Sequence, residues 1–311
     1  MRFNPKARLD TSRTRDVGGS GGGLGGGGLT LPAGRMSGGG LLVVLLLVLL
    51  NQCAGVGPDV LGGSSASGLD ASRFSNGQGD TGRYAKCQSG EDANNSADCA
   101  LVAVENSLYD YWGKELGGRF QPENGVETFT GAVSTGGCGN ATTDVGPFYC
   151  PTDQTIYLDT SFYRDMLEGQ LGGEDAPFVR AYVIAHEFGH HIQNLLGTMG
   201  QVRTQQGPRS DSVKLELQAD CYAGMWAQAA QTTPDEDGNV LISDLTETDI
   251  TDAIGAATAV GDDYIQNRTS GRSNPESWTH GSSAQRVQWF KTGMAANDDI
   301  ARCDTFAPGA V

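Results

Sequence analysis

Histidine, basic side chains and long apolar runs are all scarce in this chain, and each scarcity closes off a class of function. Lysine and arginine number 21 against 37 aspartates and glutamates, for a net charge of −16. That deficit argues against a nucleic-acid groove and against polybasic docking on anionic lipid, which both draw on an excess of cations. The longest apolar run, Leu41 to Leu50, has ten residues, about 15 Å as a helix against a hydrocarbon layer of about 30 Å. No Cys-x-x-Cys occurs among the seven cysteines, which argues against a cysteine-rich zinc site. Metal and base chemistry by imidazole must come from four histidines.

Three of those four fall together, in His186-Glu187-Phe188-Gly189-His190-His191. Residues four apart share one face of a helix, so His186 and His190 can reach a single Zn²⁺ while Glu187 is aimed at the ion's open side. The helix around them is legible: Asp175-Ala176-Pro177 reads as its start, apolar Val179, Tyr182, Val183 and Ile184 lead in, and Gly197 offers a stop. His191 points about 100° away from His190 and is a poor third ligand.

A zinc hydrolase takes three protein ligands and keeps the fourth position open. Leu215-Glu216-Leu217-Gln218-Ala219-Asp220 offers Glu216 as the third, with Asp220 one turn on, placed to accept the free N–H of a ligand imidazole. Two like charges at that spacing, on a helix that Leu215, Leu217, Ala219, Ala223 and Trp226 mark as buried, call for a cation beside them.

Four stretches carry a family resemblance: CGNATTDVGPFYCPTDQTIYLD (138–159), VIAHEFGHHIQNLLG (183–197), ELQADCYAGMWA (216–227) and THGSSAQRVQWFKTG (279–293). With them the chain resembles the bacterial putative neutral zinc metallopeptidase family, a membrane-anchored group among the thermolysin-like zincins, over about residues 83–306. The resemblance implies a zinc peptidase in which His186, His190 and Glu216 hold Zn²⁺ and Glu187 is the general base. The residues agree with that chemistry, since metal lowers the pKa of a water to about 7 and base help adds about 10²- to 10⁴-fold. Zincins also supply a donor to the developing oxyanion. The candidate is His280, in a loop before an expected helix through Ala284, Val287, Trp289 and Phe290. Arg286 is a candidate to bind a carboxylate, of substrate or of the fold.

Around this site the expected architecture is α+β and zincin-like, stabilised by disulfides: a helix over Ala97–Leu116, strands in Val126–Val133 and Gln154–Leu158, then the zinc helix and the ligand helix. Thr155-Ile156-Tyr157-Leu158-Asp159 is a candidate sheet edge for an extended peptide, or else a buried structural strand. Six cysteines remain once Cys53 is set aside. Of fifteen pairings, local spacing favours Cys87–Cys99 and Cys138–Cys150, which leaves Cys221 with Cys303. Asp235-Glu236-Asp237-Gly238-Asn239 starts like a calcium loop, but Val240 and Thr246 stand where glycine and glutamate are required, so it reads as a solvated loop.

Residues 1–40, rich in glycine and arginine, read as a flexible cationic tail on the cytoplasmic side. Residues 41–56 read as a membrane anchor or a signal-peptide h-region; the family resemblance favours an uncleaved single-pass anchor, and cleavage would give a secreted protein. Asn51-Gln52 before Cys53 is not the small-residue lead-in of a lipoprotein. Residues 57–82 read as a spacer and 83–311 as the extracytoplasmic domain. Without residues 1–55, which hold six basic and two acidic side chains, the net charge is −20. The expected partners are a peptide or protein substrate and, through the N-terminal segment, a membrane. Two alternatives share these residues, a zinc hydrolase of non-protein substrates and an envelope interaction module with structural zinc. Glu187 weighs against the second, because a structural site needs no base.

Overall fold

The computed structural model describes residues 1–19, 80–172 and 176–311. Along the chain run β1 (Arg2–Phe3), β2 (Thr14–Gly19), α1 (Gly90–Asn95), α2 (Ala97–Leu116), β3 (Gly125–Thr130), β4 (Ala132–Ser134), β5 (Asn140–Thr142), β6 (Phe148–Cys150) and β7 (Thr155–Asp159). Then come α3 (Pro177–Leu195), α4 (Asp211–Ala229), β8 (Ile242–Asp244), α5 (Glu247–Ala259), α6 (Asp262–Ser270) and α7 (Ser283–Met294). The result is a mixed helix-and-sheet protein with a small central sheet of order β2-β3-β7-β6. The β2–β3 and β3–β7 pairs are parallel, and β6–β7 is antiparallel. Separate two-stranded pieces pair β1 with β8 and β4 with β5.

Helix α3 starts on Pro177, whose missing N–H costs nothing in a first turn. It ends at Leu195, and Gly197 turns the chain away at φ 75°. Aromatic side chains lock it to its neighbours: Phe178 stacks on Trp226 of α4 at 6.0 Å, and Tyr182 meets Phe290 of α7 edge-on at 5.5 Å. Two close approaches set the spacing of these helices. A Cβ on Gly189 would lie 3.0 Å from the carbonyl oxygen of Ala219, and one on Gly293 would lie 1.9 Å from that of Cys221. Helix α4 is thus pressed between α3 and α7, at a tight contact on Gly189 and at one on Gly293 that leaves no room for a side chain. Disulfides join Cys87 to Cys99, Cys138 to Cys150 and Cys221 to Cys303. The last ties α4 to the C-terminal segment.

Two expectations are corrected here. Strand β7 is not a sheet edge, because β3 pairs with one side of it and β6 with the other. The edge on that flank is β6. A three-residue strand between Pro147 and Pro151 is too short to announce itself by alternation, so β7 looked outermost.

The second correction concerns the N-terminus. Residues 1–18 are not a free tail. Phe3, Ala7, Leu9 and Val17 are buried, and β2 lies in register on β3 with Thr14 opposite Val126, Arg15 opposite Glu127 and Asp16 opposite Thr128. Asn94 holds both the N–H and the carbonyl of Phe3, and Asn106 does the same between Asp10's N–H and carbonyl. Arg13 donates to the fully buried Glu105 at 2.7 Å. These partners lie about a hundred residues away in sequence, beyond the reach of any local pattern, which is why composition alone suggested a flexible segment. The apolar run Leu41–Leu50 and the spacer to residue 79 fall outside the described residues. Among the described residues, no helix is long and apolar enough to cross a membrane.

Candidate metal centre

The face of α3 carrying His186 and His190 turns toward α4, where the approach at Gly189 brings Glu216 between the two imidazoles. His186 Nε2 lies 3.2 Å from Glu216 Oε2 and His190 Nε2 lies 3.5 Å from Oε1. The rings stand nearly perpendicular with centroids 4.8 Å apart. One ligand atom from each of the three residues falls within 4.8 Å of the others, and among the described residues this is the cluster that could hold a metal ion. All three side chains are buried. The charge balance fits a cation: burial works to protonate Glu216, yet His190 and His186 hold its carboxyl well below the usual range. Burial also opposes charge on His186, but Asp220 and Glu216 outweigh it and push its pKa up to about 10. Two imidazoles with one carboxylate suit zinc.

Asp220 lies behind His186. Its Oδ1 accepts from His186 Nδ1 at 2.9 Å, Tyr182 Oη at 2.5 Å and Arg286 Nη2 at 3.0 Å, while Oδ2 accepts from Arg286 Nε at 2.9 Å. Burial works against ionisation there, and Arg286 with His186 overcomes it, leaving a pKa of about 2. Arg286 therefore serves a carboxylate of the fold, and it donates to the Val260 carbonyl as well. Fixing Nδ1–H on Asp220 turns Nε2 of His186 toward Glu216.

Glu187 sits on α3 between the two histidines in sequence and is as buried as they are. Burial raises its pKa, against the lowering pull of His186 and His190. His280 is brought in from the loop before α7, close enough that it and Glu216 feel each other's charge. His191 faces away, as expected: its Nε2 donates to the Gln121 carbonyl at 2.8 Å and its Nδ1 accepts from Tyr149 Oη at 3.0 Å. Burial drops its pKa to about 4, so it is neutral. Through Tyr149, which is on β6, this histidine fixes the edge strand alongside α3. The segment Asp235–Asn239 is a turn closed by Asn239 N–H on Asp235 Oδ1 at 2.7 Å.

Two residues at the site escaped the sequence reading. Gln193 accepts from His190 Nδ1 at 2.8 Å; its place three residues on, on the same helical face, was a signal that could have found it. Asp262 had no such signal. Its Oδ2 gathers the backbone N–H groups of Thr279, His280 and Gly281 at 2.8, 2.7 and 2.9 Å, and Oδ1 lies 3.5 Å from His280 Nδ1. Burial opposes its ionisation, and His280 and these N–H groups lower its pKa on balance. Asp262→Asn keeps an oxygen for the backbone but removes the charge facing His280. If His280 acts on substrate, the substitution should lower kcat/KM by about 10- to 100-fold, on the scale of outer partners of a metal site, with zinc content unchanged. Unchanged kcat/KM would mean that Asp262 does not act through His280, whose Nδ1 also lies 2.9 Å from Thr279 Oγ1.

Comparison with known proteins suggests zinc as the metal. The sequence profile of the family described as putative neutral zinc metallopeptidase matches residues 1–306. The uncharacterized protein Rv2575 of Mycobacterium tuberculosis (strain H37Rv) is 48% identical over 224 residues, covering 71% of this chain and 75% of its own length. The uncharacterized protein YpfJ of Escherichia coli (strain K12) is 43% identical over 205 residues, covering 63% of this chain and 67% of its own. No solved structure matches significantly.

Proposed function

Because the chain belongs to the putative neutral zinc metallopeptidase family, we propose that it is a zinc-dependent, zincin-like peptidase whose ion is held by His186, His190 and Glu216. The observation that carries this reading is the buried His-His-Glu triangle with Glu187 between its histidines. Bound zinc would supply a Lewis acid that polarises both the attacking water and the scissile carbonyl. Glu187 takes the water's proton and passes it to the leaving nitrogen. Burial raises its pKa, which makes it a stronger base than an exposed glutamate. His280, oriented by Asp262, donates to the oxyanion as it forms.

An extended peptide would add along β6, the sheet edge that Tyr149 and His191 hold against the zinc helix. A peptidic inhibitor complex with its backbone away from Phe148–Cys150 would remove that assignment. Three disulfides support a location in an oxidising compartment outside the cytoplasm.

The test is cleavage of an unstructured protein such as casein by the purified full chain. Chelation should abolish cleavage and stoichiometric zinc should restore it. A zinc-loaded chain that cleaves no peptide bond would instead favour a zinc hydrolase of other substrates.

A further inference from the structure

The two imidazoles are oriented by unlike partners: His186 faces a carboxylate and His190 an amide. The two ends of an amide are told apart by their neighbours, and here the neighbours leave no choice. Gln218 Nε2 donates to the Cys303 carbonyl at 2.9 Å, which turns Gln218 Oε1 the other way. Gln193 Nε2 lies 3.2 Å from that oxygen and 2.6 Å from the Leu215 carbonyl, both acceptors. Gln193 Oε1 must then face His190, so His190 carries its proton on Nδ1 and offers the Nε2 lone pair toward Glu216. Gln193, Gln218 and Cys303 are all buried, and Cys303 is fixed by its disulfide to Cys221 on α4. An amide also suits the place electrostatically. Arg286 already neutralises Asp220, and a second buried carboxylate behind His190 would need a cation of its own.

We propose that Gln193 is the positioning residue for His190, and that Gln218 and the disulfide-held Cys303 carbonyl hold Gln193 in place, so that the C-terminal segment contributes to metal affinity. This rests on the zinc reading of the site. The experiment measures zinc affinity of the full chain by competition with a chromogenic chelator, and the visible spectrum of the cobalt(II)-loaded protein, for wild type, Gln193→Met, Gln193→Glu, Gln218→Met and His190→Ala. Gln193→Met should bind zinc about 10- to 100-fold more weakly with shifted cobalt bands. Gln193→Glu keeps an acceptor for His190 but sets a buried carboxylate against the Leu215 carbonyl and Gln218 Oε1, so it should recover no more than part of that loss, and Gln218→Met should weaken binding to a smaller degree. A folded Gln193→Met with wild-type affinity and spectrum overturns the proposal. If that variant does not fold, Gln218→Met decides: weaker zinc supports the relay, unchanged zinc overturns it. Wild type and His190→Ala binding alike would mean that the zinc reading itself has failed.

The ordered N-terminus carries a second inference independently. Strands β1 and β2 are paired to β8 and β3, and Glu105, fully buried within α2, receives its ion pair from Arg13. A strand cannot join a sheet across a membrane. We infer that residues 1–18 occupy the same compartment as residues 80–311. A cytoplasmic N-terminus joined by a single crossing to an exported domain is incompatible with this sheet. So is loss of residues 1–18 by signal cleavage. The test places single cysteines at the exposed positions Ser12 and Lys291 in a Cys53→Ser background and labels intact cells with a membrane-impermeant maleimide. Both positions labelled, or both protected until lysis, supports the inference. One labelled and the other protected overturns it.

Discussion

Glu187→Gln is expected to abolish peptide cleavage while leaving zinc bound. The substitution keeps the shape and burial of a side chain that lies between two ligands on α3 but belongs to neither. It removes only the lone pair that accepts the proton of the attacking water. Base catalysis of this kind is worth about 10²- to 10⁴-fold, so kcat should fall by at least 100-fold, with zinc content by atomic absorption equal to wild type. Glu216→Gln serves as the contrast. It weakens a ligand and leaves the imidazoles facing a neutral oxygen, so zinc and activity should be lost together. A Glu187→Gln protein retaining more than a tenth of wild-type kcat would sink the assignment of the base. Zinc loss in that variant would move Glu187 into the ligand set.

The two helices that carry the His-His-Glu cluster were readable because their signals are local. His186 and His190 share a helical face by spacing alone, Glu216 and Asp220 repeat that spacing, and Pro177 and Gly197 punctuate the first helix. What could not be read depends on partners far along the chain. Asp262 matters because it gathers three backbone N–H groups from residues 279–281, a relation set by how α6 meets the loop before α7. The strand of residues 14–19 has no alternating pattern and lies among glycines, and only the edge of β3 gives it a partner. The true edge strand was hidden for a related reason. A three-residue strand between Pro147 and Pro151 carries too few positions for a period of two, and its burial pattern is unbroken.

Replacing Arg286 with Met should cost the fold more than any other single change near the site. The guanidinium spans α7 to α4 and α3, donating twice to Asp220 and once to Tyr182 Oη at 3.3 Å. Asp220 is fully buried. Methionine fills comparable space but leaves that carboxylate without its cation, and breaking a buried pair by removing one partner costs about 3–5 kcal/mol. For a chain of this size that lowers Tm on the order of 10 °C, measurable by calorimetry on the metal-free protein. Adding Asp220→Asn should recover part of the loss, because the second substitution removes the orphaned charge, and the non-additivity measures the coupling. The alternative role left open by the sequence, a clamp for a substrate carboxylate, predicts the reverse pattern. Arg286→Met would then leave Tm unmoved and raise KM. The two outcomes separate cleanly because Arg286 is itself almost fully buried, so a role in binding substrate would require a movement of α7 that the stability measurement does not need.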